Sequence, residues 1–231
     1  MSTIFWDFDG TLVFSRHLWS GSMYAALTAV HPQTAVTLSM IRECNARGGF
    51  PWDTPERDQT AFIGNAWWHH IEAHTYSVYL TCGEREEVCT AASCLIKHCI
   101  LSPDRYHRYP DTIFVLRETK QLGHRNVLLS NNYPELELTA KALGLLPYLD
   151  GVITSGLEGY DKPRLELFEI AKQRYPDTEY YMIGDNPNAD ISGGKRAGMI
   201  TVSVHNSTPL ADHSACTLTD CLLYINQSRR S

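Results

Sequence analysis

The stretch IFWDFDGTL, residues 4–12, is an apolar run that ends in two aspartates and a glycine. Its aromatic residues favour a β-strand, and its glycine ends that strand in a turn. Asp7 and Asp9 are separated by one residue, so both carboxylates would lie on the same face of an ideal strand. In an open parallel α/β sheet, ligands bind beyond the carboxyl ends of the strands, which is where these aspartates are predicted to lie.

Two carboxylates at this spacing repel each other unless a cation or a shared proton relieves the repulsion. Mg²⁺, which prefers oxygen ligands, is the simplest such partner. Thr11 adds a hydroxyl and a backbone N–H to the same turn. Taken alone, the stretch is also compatible with an ordinary strand end followed by an Asp-Gly turn.

Three later stretches carry further polar and charged residues: VLLSNN (residues 127–132), GYDKP (159–163) and YYMIGDNPNAD (180–190). The first is an apolar run that ends in Ser130 and Asn131. The second places Lys162 before a proline that can open a helix. The third is a predicted strand followed by a loop that contains Asp185 and Asp190. Each has an ordinary explanation by itself, such as a polar turn, a surface lysine or a helix N-cap.

The motifs Asp-x-Asp-Gly-Thr, Ser-Asn, Lys-Pro and Gly-Asp-x-x-x-x-Asp follow one another in this order. In this respect the chain resembles the haloacid dehalogenase-like (HAD) hydrolase superfamily. The resemblance covers the first strand and nearly everything from about Tyr109 to the C-terminus. The order and spacing of the four motifs support the resemblance, because any single motif is weak evidence for it.

The resemblance implies that Asp7 is a nucleophile that forms an aspartyl-phosphate, and that Asp9 is the general acid and base. It implies Mg²⁺ as the cofactor, held by Asp7, the backbone carbonyl of Asp9 and Asp185. Asp190 would ligate the metal through water or orient Lys162. The expected phosphate-binding residues are Thr11, Ser130, Asn131 and Lys162.

The composition is typical of an ordinary soluble protein: 231 residues, 43% hydrophobic and 20% charged. A net charge of −6 without a long basic run argues against nucleic acid as a partner. Seven cysteines without tight CxxC pairs favour reduced thiols, with a zinc site as the distant alternative. No secretion signal or membrane span is evident, so we expect a cytoplasmic protein, either a monomer or a homodimer.

The alternation of strands and helices pauses for roughly a hundred residues after the first strand, far beyond an ordinary connection of about 2–6 residues. Helices are predicted there at 23–30, 34–46, 61–79 and 84–99. After the predicted strand at 180–183, a helix is predicted at 190–197. The predicted fold is an α/β, doubly wound parallel sheet (a Rossmann-like core) formed by residues 1–14 and 109–231. Residues 15–108, hereafter the insertion, would form a smaller α-helical cap domain of the kind that many members of the superfamily carry.

Specificity beyond the phosphate group would come from the insertion. Its loop at residues 47–52 combines a cation, two glycines and two aromatic residues, so Arg47 and Trp52 are candidate specificity residues. The alternative is a structural loop between helices. His70 and His74 are spaced for a metal site on one helix face, although packing of an aromatic-rich helix is the favoured explanation.

The favoured function is a Mg²⁺-dependent phosphomonoesterase that acts on a small phosphorylated metabolite. A phosphomutase would share all four motifs. A 2-haloacid dehalogenase is disfavoured, because halide leaves without a proton and such enzymes generally lack the second aspartate. A non-catalytic binding protein on this fold would be expected to have lost one of Asp7, Asp9, Lys162 or Asp185.

Overall fold

The computed structural model describes residues 1–47 and 57–225. Its strands, in chain order, are β1 (Thr3–Trp6), β2 (Val13–Phe14), β3 (His107–Arg108), β4 (Arg125–Ser130), β5 (Gly151–Thr154), β6 (Tyr180–Gly184), β7 (Ile200–Val204) and β8 (His213–Ala215). Its helices are α1 (Leu18–Val30), α2 (Leu38–Arg47), α3 (Asn65–Thr81), α4 (Glu86–Ser93), α5 (Ile96–Leu101), α6 (Thr112–Gln121), α7 (Leu136–Ala142), α8 (Ser155–Glu158), α9 (Leu165–Arg174), α10 (Gly193–Arg196) and α11 (Leu218–Ile225).

Six strands form a parallel sheet in the order β5-β4-β1-β6-β7-β8. The strand β1 lies at its centre, with Phe5 in register with Val127 of β4 on one side and Met182 of β6 on the other. The strand order reverses at β1, which makes its carboxyl end a topological switch point where such sheets bind ligands. The predicted α/β class with a doubly wound parallel sheet is confirmed.

Both faces of the sheet are covered. Ile4 and Trp6 belong to one buried cluster, which includes residues of α6 and α11, whereas Phe5 belongs to a second cluster with residues of α9. This alternation follows from the two-residue period of a strand. It explains why β1 reads as a continuous apolar run, as strands buried on both faces do.

The insertion contains α1 to α5, and its connection to the sheet holds a feature that the sequence analysis did not predict. The strands β2 and β3 pair antiparallel across the expected boundaries, with Val13 opposite Arg108 and Phe14 opposite His107. The helix α3 packs toward the sheet through Trp68, whose indole N–H donates to Glu135 Oε2 at 2.7 Å. The division into two domains at these positions stays a prediction.

No helix in the described parts of the chain is long and apolar enough to cross a membrane.

Several helices differ from the predicted ones: α1 begins at Leu18 rather than at 23, and the helix predicted at 84–99 is divided into α4 and α5. Two further differences have visible reasons. The helix α2 begins at Leu38 rather than at 34, because the Thr34 hydroxyl accepts the Val36 N–H at 3.1 Å and closes a turn. The helix predicted from Asp190 is replaced by a π-helical turn over Pro187–Ser192 and the short α10. The Asn186 side chain caps this turn by accepting two backbone N–H groups, so the helical segment starts three residues early.

A buried asparagine ties the centre of the sheet to the helix layer. Asn126 Oδ1 accepts the Trp6 indole N–H at 3.0 Å and the Thr119 hydroxyl at 2.9 Å. Its Nδ2 donates to the carbonyls of Leu116 at 2.8 Å and Tyr148 at 3.1 Å. The side chain is fully buried and every hydrogen-bonding position of its amide is used.

Replacing this amide by an apolar group should destabilise the fold. We expect Asn126→Leu to lower the free energy of unfolding by about 3 kcal/mol or more, since it leaves several buried polar groups without partners. Urea denaturation measures the change, with Gln121→Ala, at an exposed position of α6, as the control. A loss within about 0.5 kcal/mol of that control would contradict the role of Asn126.

Candidate active site

The four motifs meet at the carboxyl end of the sheet. Asp7 directly follows β1, and its N–H donates to the Ile183 carbonyl of β6 at 2.9 Å. Ser130 ends β4, Lys162 follows α8, and Asp185 follows β6. A cavity of about 200 Å³ is lined by these residues and their neighbours: Asp7, Asp9, Ser130, Asn131, Lys162, Asp185, Asn186, Ala189 and Asp190.

Lys162 is the electrostatic centre of this cavity. Its side chain is 1% exposed, and its ammonium donates to Asp7 Oδ1 at 2.8 Å, Asp190 Oδ1 at 2.5 Å and the Leu129 carbonyl at 2.7 Å. Burial by itself would lower the pKa of Lys162, but the carboxylates of Asp190 and Asp7 outweigh it and raise that pKa. The lysine is therefore a fixed positive charge at the end of β1.

Asn131 holds the backbone that carries this lysine. Its Nδ2 donates to the Lys162 carbonyl at 2.9 Å, and its Oδ1 accepts the Lys162 N–H at 2.6 Å. The amide side chain is thus occupied within the protein. The predicted phosphate contact of Asn131 would fall to its backbone N–H.

Asp185 and Asp190 complete an acidic cluster with Asp7. Oxygen atoms of these three carboxylates all lie within 4.8 Å of one another, and this is the only such cluster of potential metal ligands found in residues 1–47 and 57–225. Burial, and next the Asp7 carboxylate, raise the pKa of Asp185. A donor set of carboxylate oxygens held this close fits a hard divalent cation such as Mg²⁺.

The carboxylates of this cluster are held by specific contacts. Asp190 is fully buried, and while Oδ1 accepts from Lys162, Oδ2 accepts the Asn186 N–H at 3.0 Å. Both Asp190 oxygens therefore have protein partners, which favours the role of orienting Lys162. A Cβ at Gly184 would lie 2.2–2.5 Å from the Asp190 side chain, so only glycine lets this carboxylate approach the strand.

Thr11 lies beneath the cluster rather than in the cavity wall. Its hydroxyl donates to Asp185 Oδ1 at 3.2 Å, and its N–H donates to the Phe8 carbonyl at 3.3 Å. In this structure Thr11 positions Asp185, and its predicted contact with phosphate stays a prediction. Gly10, between it and Asp9, has φ +82°, and a Cβ there would lie 2.5 Å from the Asp185 carboxylate.

Asp9 differs from the other carboxylates because an amide holds it. Its Oδ2 accepts the Asn132 side-chain N–H at 2.8 Å, whereas its buried Oδ1 has no hydrogen-bond partner among the described residues. Burial, and next the negative charge of Asp7, raise the pKa of Asp9 to about 7. A carboxyl group with a pKa near neutrality is suited to donate and accept protons at physiological pH.

Several residues that shape the site were not predicted from the sequence. Asn132 immediately follows the Ser-Asn pair, and this position could have identified it as a site residue. Asn206, whose Nδ2 donates to the Asp185 carbonyl at 2.6 Å, lies after β7 in a loop without any recognisable motif. Gln59 of the insertion donates through Nε2 to Asp161 Oδ2 at 2.6 Å, next to Lys162.

Arg47, a candidate specificity residue of the insertion, lies apart from the cavity. Arg47 ends α2 with an exposed side chain and is not among the residues that line the cavity, and Trp52 lies outside the described residues. His74 Nε2 lies 2.7 Å from Asn45 Oδ1, and His70 packs its ring against Phe62. These contacts agree with packing of α3 rather than with a histidine metal site.

A model of the family described as haloacid dehalogenase-like hydrolase matches residues 1–198. A glyceraldehyde 3-phosphate phosphatase of Methanothermobacter thermautotrophicus is 25% identical over 230 residues, which cover 92% of this chain and 89% of the relative. A phosphoserine phosphatase of Thermus thermophilus is 34% identical over 103 residues, which cover 43% of this chain and 41% of the relative.

Two solved structures share the fold across nearly their whole length. The magnesium-bound HAD-hydrolase YfnB of Bacillus subtilis superposes with a TM-score of 0.74 at 17% identity, covering 97% of this chain and 98% of that one. A 2-haloacid dehalogenase of Pseudomonas syringae superposes with a TM-score of 0.72 at 16% identity, covering 100% of both chains. At these identities the likeness shows the fold alone.

The raised pKa of Asp9 makes stability depend on pH. The native protein holds a proton on Asp9 up to about pH 7, whereas the unfolded chain releases it near the ordinary value of 3.8. Stability should therefore fall as pH rises through this window. In the presence of a chelator, Asp9→Asn should reduce the loss of unfolding free energy between pH 5 and pH 8 by roughly 2–3 kcal/mol.

Urea denaturation at both pH values tests this expectation. The matched control is Asp104→Asn, which changes an exposed aspartate of the insertion and should keep the wild-type pH dependence. The same dependence in Asp9→Asn as in the wild type would show that Asp9 titrates normally.

Proposed function

The chain belongs to the haloacid dehalogenase-like hydrolase family, and we propose that it is a phosphomonoesterase that hydrolyses a small phosphorylated metabolite through an aspartyl-phosphate on Asp7. The observation that carries the proposal is that the two carboxylates after β1 have different hydrogen-bond partners. Asp7 is held by the ammonium of Lys162, while Asp9 is held apart by Asn132 with a pKa raised to about 7. One carboxylate is suited to attack and the other to move a proton.

The first step forms a bond between an Asp7 oxygen and phosphorus. The bond from phosphorus to the ester oxygen breaks, and Asp9 gives its proton to that leaving oxygen. In the second step Asp9 takes a proton from water, the water oxygen bonds to phosphorus, and the bond between phosphorus and the Asp7 oxygen breaks. Inorganic phosphate leaves, and both Asp7 and Asp9 return to their starting states. A positioned acid–base group contributes typically about 10²–10⁴-fold to such a reaction.

The equatorial oxygens of the transferred group carry the charge that the site must stabilise. The positive charge of Lys162 would offset this charge, and the Ser130 hydroxyl and the Asn131 N–H would bind the oxygens, because these residues line the same cavity. Mg²⁺ would be held by Asp7, Asp185 and the backbone carbonyl of Asp9, with Asp190 orienting Lys162, and when bound it would neutralise charge on the phosphate. The magnesium-bound relative YfnB supports this choice of metal.

The size of the cavity supports a small ester. Its volume of about 200 Å³ lies below the roughly 300–1,000 Å³ of pockets for drug-sized ligands. Two curated relatives are phosphatases of glyceraldehyde 3-phosphate and phosphoserine, which are both small phosphate esters. Residues 15–108 would serve as a cap that sets specificity, and Arg47 and Trp52 stay the predicted specificity residues.

The second aspartate separates this proposal from dehalogenation. A halide leaves without a proton, so a dehalogenase needs no general acid at the position of Asp9. In this chain Asp9 is present, lines the cavity and is fixed by a hydrogen bond. The shared fold of the Pseudomonas syringae enzyme does not decide the reaction, because unlike chemistries occur on one fold.

Removal of the nucleophile should abolish turnover without unfolding the protein. Asp7→Asn keeps the shape of the side chain but removes the anionic attacker, so phosphate release should fall to background. The measurement is a phosphate-release screen on nitrophenyl phosphate and a panel of phosphorylated metabolites, with Asp104→Asn as the control. Appreciable hydrolysis by Asp7→Asn would remove Asp7 from this role, and transfer of phosphate between metabolites without its release would identify a phosphomutase.

Metal binding can be measured without activity. Saturating Mg²⁺ should stabilise the wild type over chelator by roughly 2–3 kcal/mol at a hundred times the dissociation constant, or about 5–10 °C in Tm. Asp185→Asn removes one predicted ligand, so its shift should be much smaller. An absent shift in the wild type, or an equal shift in Asp185→Asn, would contradict the proposed metal site.

A further inference from the structure

The side-chain amide of Asn132 is oriented by a second hydrogen bond besides the one to Asp9. Its Oδ1 accepts the Tyr133 N–H at 3.0 Å, so its Nδ2 is the atom that faces Asp9 Oδ2 at 2.8 Å. The opposite orientation would place two N–H donors against each other and the amide oxygen against a carboxyl oxygen. The donor direction of Asn132 is therefore determined by the fold.

The backbone of Asn132 is fixed as firmly as its side chain. Its N–H donates to Ser155 Oγ at 3.1 Å, and its carbonyl accepts the Gly156 N–H at 2.9 Å and the Thr154 hydroxyl. The residue is 4% exposed. These contacts come from the end of β5 and the start of α8, so the neighbouring strand and its helix hold Asn132 in place.

This arrangement makes the two carboxyl oxygens of Asp9 unlike. Oδ2 accepts the Asn132 N–H, and a proton on Oδ2 would compete with that donor. Oδ1 is buried and has no partner among the described residues, whereas Asp9 as a residue lines the cavity. The hydrogen bond to Oδ2 therefore sets the orientation of the Asp9 carboxyl group at the cavity wall.

We propose that Asn132 is a positioning residue that holds the Asp9 carboxyl group, through the hydrogen bond to Oδ2, in the orientation from which it protonates the leaving oxygen of the substrate. The proposal rests on the proposed phosphomonoesterase function. In the first step the proton passes from Asp9 to the leaving oxygen as its bond to phosphorus breaks. In the second step Asp9 accepts a proton from the attacking water. Asn132 itself gains and loses no proton.

A residue that acts in this way should matter most when the leaving group needs a proton. Asn132→Ala should lower kcat/KM for alkyl phosphates about 10–100-fold, as for the loss of one hydrogen bond to a charged group. It should change kcat/KM for nitrophenyl phosphate less than about threefold, because nitrophenolate leaves without protonation. A merely structural role would lower both values alike.

The matched variants are Asn132→Ser and Asn188→Ala. Asn132→Ser is a smaller polar replacement that keeps the test valid if Asn132→Ala does not fold, and it should show the same unequal losses. Asn188 is an exposed asparagine that is not among the cavity-lining residues, so Asn188→Ala should behave as the wild type with both substrates.

The decisive experiment is a double-mutant cycle with Asp9. If Asn132 acts through Asp9, Asn132→Ala should cause no further loss in an Asp9→Asn background. Multiplicative losses in the cycle, or equal losses with good and poor leaving groups, would overturn the role of Asn132 while the phosphatase proposal stands. A wild-type protein that releases no phosphate from any ester in the presence of Mg²⁺ would overturn both.

Discussion

The site depends on the burial of one ammonium group. Taking an ion such as that of Lys162 out of water costs several kcal/mol, and only close partners of opposite charge and good geometry offset that cost. Asp7, Asp190 and the Leu129 carbonyl provide them, and they come from the ends of β1, β4 and the loop after β6. The lysine can be buried only where these strands end side by side. Burial of the Lys162 ammonium therefore requires both this strand order and this arrangement of charges.

The same reasoning explains what could be predicted from the sequence. Asp7, Asp9, Ser130, Asn131, Lys162, Asp185 and Asp190 all line one cavity, because each follows an apolar strand or precedes a helix at the same edge of the sheet. The class of fold followed from the alternation of strands and helices. The chemical roles of these residues stay predictions until they are tested.

The supporting contacts could not be predicted, because they depend on loops that approach one another only in the folded protein. The hydroxyl of Thr11 faces Asp185, and Asn206 reaches the same residue from a loop more than twenty positions along the chain. The pairing of β2 with β3 joins residues separated by about ninety positions and has too few residues to leave a pattern. Side-chain capping by Asn186 likewise shifted a helix start that propensity alone placed later.

The junction of β5 and α8 contacts both Asn132 and the insertion. Thr154, Ser155 and Gly156 hold Asn132 from the sheet side, and the Gly156 carbonyl accepts the Gly64 N–H of the insertion at 2.9 Å. Gly159 continues this contact, since a Cβ there would lie 2.6 Å from the Thr60 backbone. The insertion therefore docks on the same short segment that fixes Asp9 through Asn132.

The central place of β1 also has a consequence for biosynthesis. This strand precedes its neighbours β4 and β6 by roughly 120 and 175 residues, yet its residues Thr3 to Trp6 are completely buried between them. At a translation rate of about 5–20 residues per second, the strand waits some ten seconds or longer for its second neighbour. During that interval the nascent chain carries an apolar segment with unpaired backbone, which is the kind of segment that is prone to aggregation.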